Sequence, residues 1–544
     1  MTAQVLVVGA GPVGLTMAAL LTHYGTSVQI IDKRTKADLR SKAVVLHART
    51  LELLDTLNLA SEFTEKANLV HTIDFYGGLD DQLLQASTDV IDSPFDFLAC
   101  LPQSDTEAVL TEFLAQNGVT VQRGTRLESL ENQPESVHTT LISNSGEEST
   151  VSFDYVIGCD GGHSAVRAAI GQKLIGDFHD DPWLLVDADV TTPFDRDDIY
   201  MLGSQAHFLG WFPLSNPRGR IVLELANAKE VPDPDSLTPR STEQLIKELT
   251  GLDLTITNPR WLTIFNIHHG QVPEYRDGRV FLAGDAAHVH SPAGAQGMNT
   301  GMQDAFNLAW KISLACAAAA AEGLLDSYQD ERHPVGQAVV RQTTSMTKAM
   351  KLSNPVTEMV RNFVIKHAGN TELIRRRFLN QLAETSISYP TSPIVKDLPH
   401  SKGKAAVSAG DRFPETGPVT VAYDGRGQGW ARPPRLSQVG ANRSFVAYLF
   451  ADTLPADLST LAALQRLGVR VVAVLRNPEL ANSDQGVANQ IDVVVSDKDG
   501  RLADVYGSDT VLLVRPDLYI AGSAGVSEAE DLLRILHISL CESD

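Results

Sequence analysis

Val5-Leu6-Val7-Val8-Gly9-Ala10-Gly11-Pro12-Val13-Gly14 is the stretch that decides how this chain folds. The β-branched run suits a strand buried on both faces of a parallel sheet. It leads into G-x-G-x-x-G and then into residues 15–23, where Leu15, Ala18, Ala19 and Thr22 recur at helical spacing. Past Gly25 a second strand, Val28-Gln29-Ile30-Ile31, ends on Asp32, 18 residues beyond Gly14. Strand, glycine turn, helix, strand and acid at this spacing predict a dinucleotide-binding unit. Gly9 permits the tight turn, Gly11 lets a pyrophosphate approach the backbone, and Gly14 lets helix and strand pack closely. The helix start offers free N–H groups to phosphate. Asp32 is suited to accept from adenosine ribose hydroxyls and to repel a 2′-phosphate, so FAD or NAD is expected at this turn rather than NADP. Lys33, beside it, is grouped with the cofactor-binding residues.

The rest of the chain sets the frame. Its 544 residues exceed what one core organises, and about three domains are expected. A hydrophobic share of 43% is enough to drive folding, which excludes a disordered chain. The net charge of −22 repels phosphate backbones and anionic lipid, so neither nucleic acid nor a membrane surface is an expected partner. The four cysteines, Cys100, Cys159, Cys316 and Cys541, form no CxxC pair, which leaves no zinc knuckle or dithiol motif and suits a reducing compartment. The first apolar stretch, residues 5–8, is too short for a leader, and the longest run, 312–321, is half of a bilayer span. A cytoplasmic protein is expected.

Two further strand ends carry acid–glycine pairs. Residues 153–158 read as a buried strand ending in Cys159-Asp160-Gly161-Gly162, followed by Ser164, a helix N-cap, and Arg167. Residues 279–283 read as another strand, ending in Gly284-Asp285-Ala286-Ala287-His288. Beyond it come Ser291-Pro292-Ala293-Gly294-Ala295-Gln296-Gly297-Met298-Asn299 and a helix through Asp304, Leu308 and Lys311.

With these three motifs the chain resembles the single-component flavoprotein aromatic hydroxylases, the group that contains p-hydroxybenzoate hydroxylase, phenol hydroxylase and pentachlorophenol monooxygenase. The resemblance covers most of residues 1–395 and is closest over 279–311. It implies an α/β fold in which a glutathione-reductase-like FAD-binding domain is interrupted by a β-sheet substrate domain. It further implies that Gly284 and Asp285 serve the flavin's ribityl chain, and that Asp160 and Gly161 serve the FAD pyrophosphate region and the nicotinamide nucleotide. Arg49 in His47-Ala48-Arg49-Thr50 and Gln103 match family positions that touch FAD, and Pro292 to Asn299 resembles the loop beside the isoalloxazine. Without the resemblance, Asp160 reads as a cap at a helix start and Arg49 as a surface charge on a helix. If Gly297, Met298 and Asn299 open a helix, their N–H groups and the helix dipole favour a reduced, negatively charged flavin by up to ~2 kcal/mol. No second G-x-G-x-x-G occurs: Gly425-Arg426-Gly427-Gln428-Gly429 has the wrong spacing and no buried strand before it. NAD(P)H is therefore expected as a transient co-substrate without a module of its own.

The expected domains are 1–175 (FAD-binding, first part, with 70–100 joining the substrate domain), 176–265 (substrate sheet), 266–395 (FAD-binding, second part, and a helical segment) and 396–544. In the helical segment the Ala-rich run 315–322 reads as helix, and 328–334 as a helix end at Pro334. Tyr200, His207, Trp211, His268 and His269 are pocket candidates, with aromatic core packing as the plain alternative. Pro292, His207 and His269 are the catalytic candidates. The last part alternates strands and helices and resembles the thioredoxin-like tail of many of these hydroxylases. Lacking paired cysteines it cannot run thiol exchange, and it is expected to serve structure or homodimer contacts.

The resulting expectation is an FAD-dependent monooxygenase. NAD(P)H reduces the flavin, O2 adds to give a C4a-hydroperoxide, and a phenolic or related aromatic substrate is hydroxylated in a pocket that excludes water. Epoxidation or Baeyer–Villiger oxidation on the same scaffold, and a non-enzymatic protein that binds FAD or an aromatic ligand, are the alternatives. A halogenase is disfavoured because Trp-x-Trp-x-Ile-Pro is missing, the nearest string being Trp211-Phe212-Pro213-Leu214.

Overall fold

The computed structural model describes residues 3–38, 40, 43–177, 182–204, 207–225, 228, 230–290, 294–321, 323–350, 362, 365–367, 371–398, 407–425, 430, 432–440, 444–455, 457–478 and 490–540. Three large sheets organise it.

The first sheet has six strands in the order Arg276–Asp277, Val280–Leu282, Tyr155–Gly158, Val5–Val8, Val28–Asp32 and Gln122–Arg123. All but the Arg276–Asp277 edge run parallel, with Val8 opposite both Gly158 and Ile31, and Gly158 opposite Leu282. Strands far apart in sequence thus finish at one edge. Val5 to Val7, Ile30, Ile31, Val156, Ile157 and residues 280–282 are fully buried, as β-branched and apolar runs in a two-sided parallel sheet should be.

The second sheet has seven strands in the order Thr255–Asn266, Pro182–Thr191, Arg218–Glu224, His207–Pro213, Asp198–Ser204, Thr72–Gly78 and Asp81–Ser87. Side chains alternate between its faces. Leu184, Val186, Tyr200, Leu202, Leu209, Trp211, Ile221 and Leu223 pack as one cluster under the helix Pro239–Thr250, through Ile246. The opposite face sends Ile73, Ile199 and Phe212, with Phe75, Met201 and Val222, into the core of the nucleotide-binding sheet.

The third sheet runs Lys396–Asp397, Ile520–Gly525, Thr510–Val514, Val446–Ala451, Arg470–Leu475, Val493–Ser496 and Thr420–Asp424. Its central strand, Val446–Ala451, is parallel to Arg470–Leu475 and antiparallel to Thr510–Val514. One face carries the helices Ser459–Arg466 and Asp531–Ser539, through Leu461, Leu464, Leu532 and Ile535. The other, with Tyr448, Phe450, Val472 and Leu512, belongs to the same core as the nucleotide-binding sheet.

Two helix boundaries differ from the sequence expectation. The long helix Gly297–Cys316 stops inside the Ala-rich run: Ala318 turns to φ +55°, and Ala320 instead bridges to Leu540. Tertiary pairing there outweighs alanine's helix propensity. The helix Ser327–Met350 begins where an end was expected and passes through Pro334. An interior proline costs ~3 kcal/mol, and the preceding turn is anchored by Glu331 and Arg332, both fully committed to buried ion pairs. No helix among the described residues is long and apolar enough to cross a membrane.

Candidate active site

The glycine turn is built as its spacing demands. Gly9 has φ +102°, and a methyl group there would sit 2.5 Å from the Cys159 carbonyl oxygen. A methyl on Gly14 would lie 1.9 Å from the Gly9 carbonyl oxygen. Gly11 is different: nothing stands within 4 Å of where its Cβ would be, so this position faces open space at the start of the helix Pro12–His23. That helix has no side-chain cap and no acid in its first turn, so its N–H groups remain available to an anion.

Both acid–glycine strand ends reach this turn. The contact between Gly9 and residues 159–160 brings Asp160 against it, and a methyl on Gly284 (φ +60°) would come within 2.8 Å of Val13 Cγ2. Arg167 ties the two ends together, donating to the carbonyls of Gly162 and Ala286, the latter at 3.0 Å. Asp285 is exposed and makes no side-chain hydrogen bond or ion pair among the described residues. Gly284 N–H donates to Asp304 Oδ2 at 3.0 Å, and Asp304 also holds His288 Nε2 and Arg332 Nε, each at 2.7 Å. These charges keep the Asp304 carboxyl ionised below the usual range despite its burial.

The other expected cofactor residues also have protein partners or stand exposed. Asp160 spends its carboxylate on Ser164 Oγ and on the N–H groups of Ala165 and Val166, so it caps the short helix Ala165–Ala169 while burial raises its pKa. Asp32 accepts from Ala10 N–H at 2.9 Å, from Arg34 N–H at 2.8 Å and from the Arg34 guanidinium at 3.2 Å, which together hold its pKa down. Asp32 therefore organises the turn, and Arg34, with its side chain 40% exposed, is the group presented outward. Lys33 is exposed. Gln103 opens the helix Gln103–Gln116, exchanges hydrogen bonds with Ala43 and donates to Glu107. Glu107 lies in the field of Arg34 and Asp32.

Arg49 is fully buried, so it is not a surface charge, and its Nε has no hydrogen-bond partner among the described residues. Its guanidinium donates to Glu52 and to the carbonyls of Asp517 and Leu518, and it lies 4.7 Å from the Tyr519 ring centre. It bolts the nucleotide-binding sheet's surroundings to the C-terminal unit.

The loop before the helix Gly297–Cys316 is held by its neighbours. Gly294 and Ala295 both adopt positive φ, +83° and +52°. Asn299, fully buried, accepts from His47 N–H and donates to the carbonyls of Val45 and Ala295, all within 3.0 Å. His47 Nε2 donates to the Gly294 carbonyl at 3.0 Å, and burial pushes its imidazole down to about 4, so it is neutral. The Asn299 side chain is thereby occupied, and the helix Gly297–Cys316 starts without a side-chain cap. Pro292 lies outside the described residues.

Three pocket candidates lie on the face of the second sheet turned away from the nucleotide-binding sheet. Tyr200 and Trp211 belong to the cluster under Pro239–Thr250, and His207 shares their parity along its strand while its Nδ1 lies 3.2 Å from the Glu224 carbonyl. The pleat alternates with a period of two, and the pattern does not say which face is which. The face turned toward the nucleotide sheet carries Phe75, Met201, Phe212 and Val222, and Phe378 of the helix Glu372–Leu382 meets Phe75 at 6.2 Å. His268 is exposed. His269 stands in the strand His269–Gln271, next to His288–Val289 of the Gly284 loop, with Nδ1 3.2 Å from Thr344 Oγ1.

Sequence reasoning missed Arg34, Arg332 and Glu384. Arg34 had a signal, standing two residues past the acid that ends the second strand. The other two gave none. Glu384 is buried behind the first turns of Gly297–Cys316, accepts from Thr300 Oγ1 and Gln303 Nε2, and its carboxyl is raised to about 8 by burial.

The FAD binding domain family matches residues 2–343, and the HcaD C-terminal domain family matches residues 446–538. The 6-methylpretetramide 4-monooxygenase of Streptomyces rimosus is 29% identical over 98% of this chain and 94% of its own length. The rifampicin monooxygenase of Streptomyces venezuelae is 33% identical over 71% of this chain and 79% of its own. Among solved structures, the anhydrotetracycline hydroxylase OxyS from Streptomyces rimosus superposes with a TM-score of 0.75 at 27% identity, each chain covered completely.

Proposed function

The chain belongs to the FAD binding domain family, and we propose that it is an FAD-dependent monooxygenase that hydroxylates a phenolic aromatic substrate with NAD(P)H and O2. The observation that carries this is the convergence of the Gly9–Gly14 turn, the Asp160 strand end and the Gly284-Asp285 strand end on one edge of the nucleotide-binding sheet. The relatives named as monooxygenases support the reaction class. When bound, FAD would supply the redox chemistry between NAD(P)H and O2.

The chain's own residues bind, orient and exclude water. Gly11 and the start of Pro12–His23 hold the pyrophosphate. Asp32 and Arg34 take the adenosine side, with Gln103 on the groove wall, and Asp160-Gly161 lie along the phosphates. Asp285 accepts from the ribityl hydroxyls. The N–H groups of Gly297, Met298 and Asn299 favour negative charge on the pyrimidine ring. Substrate lies against Phe75, Met201, Phe212, Val222 and Phe378, a face of aromatic and apolar groups that accepts a flat ring and keeps water away. His269 is the remaining candidate to take a phenol proton, whose pKa lies near ~10. The end-to-end match with the 6-methylpretetramide enzyme favours a fused-ring phenol over a single ring. The C-terminal unit reads as thioredoxin-like, supported by a parallel strand–helix–strand pair followed by two antiparallel strands and a helix. With Cys541 its only cysteine, its role is structural.

The test is to purify the protein, quantify bound FAD, and screen single-ring and fused-ring phenols for stimulated NAD(P)H oxidation coupled to an oxygenated product. Coupled hydroxylation of at least one phenol is expected. FAD-bound protein that yields only hydrogen peroxide with every phenol would count against the proposal.

A further inference from the structure

The nucleotide-binding and C-terminal units meet around charges that neither buries alone. Lys311 and Glu331, both fully buried, pair at 2.8 Å. Arg515 enters from the C-terminal unit and donates through Nη1 and Nη2 to the two oxygens of Glu331 at 2.5 and 2.9 Å. It is itself braced by Asp517 at 2.9 and 2.6 Å, and stacks near Trp310, Tyr389 and Tyr519. Asn307 reaches both Glu331 and Asp517. Arg332, the next residue along, turns the other way. It donates to Tyr389 Oη at 2.9 Å, to the Thr300 carbonyl at 2.9 Å and to Asp304 at 2.7 Å. Asp304 receives the Gly284 N–H, so a continuous buried line joins the 515–517 turn to the Gly284-Asp285 strand end and to the first turn of Gly297–Cys316.

We infer that Arg515 is a positioning residue for the cofactor: its fork on Glu331 fixes the helix Ser327–Met350, and Arg332 on that helix holds Asp304, the Gly284 loop and the start of Gly297–Cys316 where the flavin meets them. This rests on the FAD reading above. A buried ion pair contributes little net stability over apolar packing, because desolvation offsets the attraction. What a two-pronged guanidinium–carboxylate contact does supply is a fixed geometry, which a lysine ammonium does not reproduce. The residues at the far end of the line are those assigned to the ribityl chain and the pyrimidine ring, so a loosened fork is felt as a change in how the flavin is held.

The experiment titrates the apoproteins of the wild type, Arg515→Gln, Arg515→Lys and Leu464→Ala with FAD, and measures the midpoint potential and thermal stability of each. Leu464 is fully buried on the helix Ser459–Arg466 of the C-terminal unit and its side chain carries no polar group, so its truncation loosens that unit without removing a member of the ion network. Arg515→Gln is expected to bind oxidised FAD about tenfold more weakly. It should bind reduced FAD a further tenfold more weakly, a fall in midpoint of about 30 mV for a two-electron couple. Arg515→Lys falls between it and the wild type. Leu464→Ala melts earlier but keeps both FAD affinity and potential. Wild-type affinity and potential in Arg515→Gln would overturn the inference, and so would a Leu464→Ala protein that shifts both as far. Where Arg515→Gln does not fold, Arg515→Lys decides: a weaker affinity with a lowered potential supports the inference, and wild-type values overturn it. Wild-type protein that takes up no FAD would sink the functional reading, and this inference with it.

Discussion

A methyl group means opposite things at Gly11 and Gly14, three residues apart. At Gly14 it collides with the Gly9 carbonyl at 1.9 Å, whereas at Gly11 it meets nothing within 4 Å and the backbone, φ −82°, suits any residue. Gly14→Ala should therefore fail to give folded protein. Gly11→Ala should melt within about 1 kcal/mol of the wild type as apoprotein yet lose FAD, because the methyl occupies the phosphate groove. Absorbance of the purified proteins near the flavin bands, set beside melting of the apo forms, checks both, and a yellow Gly11→Ala protein would contradict the groove assignment. Glu384 offers a second residue-scale test. Its carboxyl is raised from 4.5 to about 8, so the folded protein keeps a proton that the unfolded chain releases, and stability falls as pH rises through that window. Glu384→Gln removes this loss, and its melting temperature should gain on the wild type steadily from pH 5 to pH 8, whereas parallel curves would contradict the shift. The glycine turn was legible in the sequence because its spacing is fixed by local turn geometry, whereas Asp285 was singled out only by the family resemblance. Glu384 and Arg332 were not legible, since their roles exist only once residues 80 and 30 positions away are folded against them.

At the scale of elements, the strands were easier to read than their faces. His207-Phe208-Leu209-Gly210-Trp211-Phe212 reads as a strand, but both of its faces are largely apolar, so the sequence leaves its orientation open. The structure gives the odd-numbered positions to the helix Pro239–Thr250 and Phe212 to the shared core. His207→Ala should consequently lower thermal stability, by about 1–3 kcal/mol if its contact with Glu224 is lost, while product formed per NAD(P)H stays at the wild-type ratio. Phe75→Ala, on the opposite face, should instead lower that ratio by admitting water beside the ring. The reverse pattern, measured by oxygen and product stoichiometry, would put the pocket on the other side of the sheet. Helix boundaries at Cys316 and through Pro334 escaped sequence reading for a related reason. A strand-like bridge to Leu540 ends one, and buried ion pairs to the C-terminal unit carry the other past its proline.

For the whole molecule, the mixed α/β class followed from a glycine turn between two short buried strands, and the sheet that turn belongs to sets where everything else must go. Four parallel strands finish at one edge, and that edge collects the turn, Asp32, Asp160 and Gly284-Asp285 from a span of more than 250 residues. What the sequence did not reveal is that the C-terminal sheet shares its core with this one, and that Arg49 and Arg515 stitch the two together through fully buried contacts. The arrangement predicts one cofactor gripped from three strand ends. The most direct measurement is a crystal structure of the protein with FAD. The pyrophosphate should lie over Gly11 at the start of Pro12–His23, the ribityl hydroxyls within hydrogen-bond reach of Asp285, and the pyrimidine edge at the N–H groups of Gly297 to Asn299. Flavin seated elsewhere, or Asp285 left facing solvent with FAD bound, would contradict it.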